Sequence, residues 1–134
     1  MPNRFTLLLT IGALVAANSQ FPAAAQIRDD GRAPKRFEWV DQRAGDCHQS
    51  GVLTLYPDGR AVWNATTWTD HSNSGDIWHE TLKLLNSQNQ ELFGFGVWDS
   101  PRVWPGDQGR WQNEGHFSSA FFDQIASATS GGSC

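Results

Sequence analysis

Apolar and polar residues alternate along the chain from residue 37 onward, and a period of two predicts strands rather than helices. Phe37-Glu38-Trp39-Val40-Asp41 opens the series as a short first strand. The strongest local signal follows it. Two runs rich in β-branched and aromatic residues, 51–56 and 60–68, flank Pro57-Asp58-Gly59. Proline presets φ for the corner, aspartate bonds back to the nearby backbone, and glycine accepts the positive φ that closes the turn. A hairpin is predicted here. In its second arm Val62, Asn64, Thr66 and Trp68 share one face, and Ala61, Trp63, Ala65 and Thr67 share the other. Neither face is cleanly polar.

Beyond a polar loop at 70–76 the alternation resumes over 77–85, with Trp78, Leu82 and Leu84 opposed to His79, Thr81 and Lys83. Good helix formers at 80–85 make a helix the rival, and the flanking turn residues decide for strand. Residues 91–98 place Phe93, Phe95 and Val97 on one face, with Gly94 and Gly96 opposite. Glycine inside a strand points to a bulge or a bend. Residues 99–109 form the longest irregular stretch, and 110–117 read as a last strand. Ser118 and Ser119 then offer an N-cap to a short helix over 120–126. Residues 130–133, Ser-Gly-Gly-Ser, read as a flexible tether for Cys134. The fold class is all-β, a small antiparallel barrel or sandwich of about six strands with a short C-terminal helix.

The first 25 residues stand apart. Arg4 precedes an apolar run from Phe5 to Ala17, about 13 residues against the roughly 20 a membrane-spanning helix needs. Ala23-Ala24-Ala25 then supplies the small residues of a signal-peptidase site. Residues 1–25 are read as a signal peptide, 26–35 as a flexible leader and 36–134 as one β-rich domain. The protein is expected to be secreted, without a membrane span. The formal charge of −4 becomes more negative once Arg4 is removed, and no basic patch stands against it. Nucleic acid is therefore a poor partner. Only two cysteines occur, Cys47 and Cys134, and in an exported chain such a pair is expected to form a disulfide. The rival is a pair of free thiols kept for redox or metal chemistry.

Gly45-Asp46-Cys47, the Asp58-Gly59 hairpin with Trp63 after it, Phe122-Asp123-Gln124-Ile125 and the closing Cys134 together resemble a domain-of-unknown-function family. Its members are small secreted proteins, mostly bacterial. The resemblance covers essentially the mature chain. It implies a single secreted domain with a terminal disulfide, and it brings no activity with it. A looser likeness to calycin-type barrels such as lipocalins lacks the Gly-x-Trp signature near the first strand.

Candidate chemistry is sparse. His79-Glu80 fails as a zinc-protease helix, because Lys83 stands where the second histidine belongs. The four histidines are dispersed without metal-ligand spacing, and no metal or cofactor is expected. Glu114 and His116 share a strand face as acid–base partners would, and as solvated outer residues commonly do. Asp70-His71 has no serine in a nucleophile-elbow context. Asn64-Ala65-Thr66 matches a glycosylation sequon in mid-strand. Seven tryptophans are the feature that carries a functional expectation. Most belong in a core, because each buries a large area. Trp104 lies in the 99–109 loop beside Arg102 and Asp107, an aromatic plate with polar neighbours suited to stacking on a sugar or gripping a protein. The sequence therefore favours a non-catalytic binding or interaction module, with a carbohydrate or protein partner; the alternative is a small secreted hydrolase.

Overall fold

The computed structural model describes residues 31–71 and 73–134, so the segment expected to be a signal peptide and most of the expected leader lie outside the described residues. In chain order the strands are β1 Lys35–Ala44, β2 Cys47–Leu55, β3 Arg60–Thr69, β4 His79–Leu85, β5 Glu91–Asp99, β6 Gln108–His116 and β7 Ser127–Ser133. They form two antiparallel sheets, a four-stranded one in the order β1-β2-β3-β6 and a three-stranded one in the order β5-β4-β7. The sheets make a sandwich and do not close into a barrel. Where the sequence predicts a helix there is a short 3-10 helix, Ser119–Gln124, and Ser118 gives it no side-chain cap.

The β2–β3 hairpin turns as its residues dictate. Gly59 takes φ +98°, and Asp58 Oδ1 accepts from the Arg60 amide at 3.0 Å. The Gly59 amide donates to the Tyr56 carbonyl at 3.0 Å. Alternation then sorts the side chains. Leu53, Leu55, Ala61 and Trp63 of the larger sheet meet Leu82, Leu84 and Phe95 of the smaller one. Phe117, Phe122 and Ile125 belong to the same core cluster. Trp63 is fully buried between Trp39 and Trp111, at centroid distances of 5.8 and 6.5 Å. Gly51 lies flat over its ring, and a Cβ there would stand 2.3 Å from Trp63 Cη2.

Two local expectations change. The Ser-Gly-Gly-Ser stretch is the second half of β7 and pairs with β4, Ser130 opposite Leu82 and Gly132 opposite Glu80. Close approach explains the glycine: a Cβ on Gly132 would lie 2.0 Å from Trp78 Cζ2. In β5, Gly96 and Val97 together oppose Thr81, a bulge that re-aims the strand. Val97 is thereby exposed, and Trp98 is half-buried against the core instead. Cys47 and Cys134 form a disulfide, with Cα atoms 6.2 Å apart and a sequence separation of 87.

A polar layer interrupts the apolar core. Glu80 is fully buried, and its Oε1 accepts from Gln49 Nε2 at 2.7 Å and from the Trp78 indole at 2.8 Å. Ser130 Oγ donates to Oε2 at 2.5 Å, and Gln42 Nε2 donates to Ser130 Oγ at 3.0 Å. Thr67 Oγ1 donates to Gln49 Oε1 at 3.2 Å and accepts from the Trp111 indole at 3.0 Å. The network ties both sheets together around one carboxyl. Burial without a countercharge raises the Glu80 pKa, against the three hydrogen bonds that favour its charged form.

Candidate functional site

The residues of the larger sheet that do not face the core form its outer face. The register sets them in rows across the strands: Glu38–Val52–Asn64–Gln112, then Ser50–Thr66–Arg110, then His48–Trp68–Gln108. The first two rows and Gln108 line an open groove of about 820 Å³ that crosses all four strands. Its side chains are largely uncommitted. Glu38, Asn64, Thr66, Gln108, Arg110 and Gln112 make no side-chain hydrogen bond or ion pair among the described residues. Water or a ligand must satisfy them.

One end of the groove is pinned. Val40 and Asp41 together oppose Ser50 in a bulge of β1, with Asp41 at φ +50° and its amide donating to Ser50 Oγ at 2.9 Å. Asp41 Oδ1 lies 2.7 Å from His48 Nδ1, and Asp70 Oδ2 lies 2.8 Å from His48 Nε2. The imidazole stacks on Trp68 at 5.3 Å with planes 8° apart. Arg43 Nη2 adds a 3.0 Å ion pair to Asp70 Oδ2. A neutral imidazole carries one N–H, so only the imidazolium satisfies both carboxylates. The hydrogen bonds to Asp41 and Asp70 raise the His48 pKa, and the bond from His48 lowers that of Asp70. Held from both sides in this way, His48 is a clamp between β1 and the loop after β3, and it has no nitrogen left to act as a general base.

The residues singled out in the 99–109 loop are anchored differently from one another. Val103 is buried and bridges to Asp76. Arg102 Nη1 donates to the Ser74 and Gly75 carbonyls at 2.9 and 3.2 Å. Trp104 is 44% exposed, with one edge over Gly75. Asp107 is exposed in the turn where its amide donates to the Trp104 carbonyl at 3.0 Å. None of Arg102, Trp104 and Asp107 lines the groove.

The other candidates stay apart. Glu114 and His116 are exposed on β6 opposite Val62 and Arg60. His71 is exposed in the loop after β3. His79 Nδ1 pairs with Asp99 Oδ1 at 2.6 Å on the outer face of the smaller sheet, and the ladder sets Ser133 opposite His79 on its other side. Cys47, Asp76 and Cys134 bring ligand-type atoms together, but both sulfurs are held in the disulfide. Sequence reasoning missed the groove and the His48 clamp. The only signal was the polar set on alternate residues of β2, β3 and β6, which any solvated face would show.

A model of one family, described as a family of unknown function (DUF6294), matches residues 52–134. No curated protein and no solved structure matches the chain.

Proposed function

The chain belongs to DUF6294, a family of unknown function, and from that premise we propose that it is an exported, non-catalytic binding module. Its recognition surface is the groove across the larger sheet. One observation carries this reading: a groove across four strands whose amide, hydroxyl and single charged groups on β1, β3 and β6 have no side-chain partner among the described residues. Polar side chains on a rigid sheet are pre-organised, and a ligand that satisfies them loses little ordering entropy to the protein. The disulfide fits an oxidising compartment, and among the described residues no helix is long and apolar enough to cross a membrane. Trp104 stands beyond the groove lining and offers a separate aromatic contact.

The hydrolase alternative has one observation in its favour, the Asp99–His79 pair with Ser133 opposite. Acyl transfer requires His79 Nε2 within hydrogen-bond reach of the Ser133 hydroxyl, and no such bond is present. Two measurements separate the readings. Binding of a polymer panel by the purified protein should be weakened by Asn64→Ala and unchanged by Ser133→Ala. Turnover of activated esters, or fluorophosphonate labelling at Ser133, would instead favour the hydrolase.

A further inference from the structure

We propose that the groove takes a neutral polysaccharide, with its chain running across the strands from β1 to β6 and about one sugar unit over each strand. This rests on the binding-module reading and names its ligand. Charge is the first argument. Glu38 on β1 and Arg110 on β6 offset one another, and the remaining polar groups are uncharged. Ser50, Thr66, Asn64 and Gln112 can each donate and accept, as sugar hydroxyls do. At the clamped end of the groove Asp41 and Asp70 are matched by the His48 imidazolium and Arg43, so that end offers a polyanion no net charge to bind.

Spacing is the second argument. The rows Ser50–Thr66–Arg110 and Val52–Asn64–Gln112 run side by side at right angles to the strands. They lie two residues apart along each strand, about 6–7 Å, which brackets a ribbon of sugar rings from both edges. Within a row the step is the interstrand distance, about 4.8 Å and close to the length of one unit in an extended glycan. Val40 and Val52 supply apolar surface for the C–H faces of the rings. A peptide strand is the poorer fit, because strand addition needs free backbone groups at a sheet edge. The groove floor is a sheet face, and β2 and β3 beneath it are paired on both sides.

The test uses the disulfide-bonded protein exported from a bacterial host. Native affinity electrophoresis would compare neutral polymers (β-glucan, xylan, mannan) with anionic ones (alginate, heparin) and with an extended uncharged peptide. An oligosaccharide series of a retained polymer would follow by calorimetry. At least one neutral polymer should retard migration, and affinity should climb with length to three or four units and then level. Asn64→Ala and Gln112→Ala should each weaken binding roughly 5–10-fold, the loss of about one hydrogen bond. His79→Ala on the other sheet should leave it unchanged, and circular dichroism checks that every variant is folded. Binding confined to anionic polymers, or to the peptide, with sensitivity at Asn64 would overturn the neutral class and leave the binding module standing. Affinity still rising well past four units would overturn the crosswise orientation. No binding by any member of the panel would overturn both.

Discussion

Glu80 shows how much one residue can decide. A carboxyl with no exposure and no cation bonded to it is costly when charged, and that cost sets a pH dependence. Its folded pKa is raised, so the folded state holds the proton more tightly than the unfolded chain. The stability this contributes is complete below the ordinary glutamate value and is lost as pH rises through the raised one. Glu80→Gln should flatten that segment of a denaturant-midpoint-against-pH curve, and an unchanged slope would contradict the assignment. Glu80→Ala should be far worse, because Gln49 and Trp78 would each keep a buried donor without an acceptor, at about 1–3 kcal/mol apiece. Gly59 acts through space as well as through φ. A Cβ there would stand 2.4 Å from the Phe117 carbonyl oxygen, beside the bond in which the Phe117 amide donates to the Gly59 carbonyl at 2.8 Å and joins the hairpin turn to the end of β6. Gly59→Val should cost about 2–3 kcal/mol, more than the bare turn strain, and equal urea midpoints for the two proteins would refute it.

Among the elements, the His48 clamp joins the β1 bulge to the loop after β3. Asp41 and Arg43 face the ring region from β1, Asp70 faces it from the loop with His71 beside Asp70, and Trp68 covers one ring face from β3. The raised His48 pKa places the clamp's contribution fully below the ordinary imidazole value, to be lost as pH rises through the folded one. The lowered Asp70 pKa removes its share at the other limit, as pH falls through that lowered value. Between the two limits the clamp is whole. Amide resonances of Val40 and Ser50 should therefore titrate together with the His48 ring, and in His48→Gln that shared midpoint should vanish. Independent midpoints would mean that the ring and the bulge are not coupled. Elements also mark how far the sequence could be read. The β2–β3 hairpin was legible because turn chemistry and alternation agree over contiguous residues. β7 was not, because its Gly-Gly carries no pattern: the strand exists through what its neighbours offer, a carboxyl for Ser130 and an indole beneath Gly132. The groove was hidden for a related reason. Polar residues on alternate positions look alike whether they meet water or a ligand, and only the register of four strands sets them in rows.

For the molecule as a whole, the chain completes neither sheet before it starts the other. β4 and β5 come between β3 and its partner β6, and β7 returns to β4. The disulfide spans that interleaving with a separation of 87 residues, worth about 4–5 kcal/mol in the chain-entropy model. The pair Cys47→Ser with Cys134→Ser should lower stability by up to that amount, read from the urea midpoint, and should loosen β7 first in hydrogen exchange. Uniform exchange across both sheets would argue against that order.

The same crosslink governs what a single backbone cut could do. The loop after β3 is exposed at His71, Asn73 and Ser74, and it lies between the two cysteines in the chain. A protease severing it would separate β1, β2 and β3 from all that follows, yet Cys47 and Cys134 would keep the halves in one covalent body. Each half also holds strands that the other requires, since β6 completes the sheet of the first. A nick here is therefore a change of connectivity without a change of architecture. The clipped molecule should run as one band without reductant and two with it, keep its groove, and fall apart only when cleavage and reduction are combined.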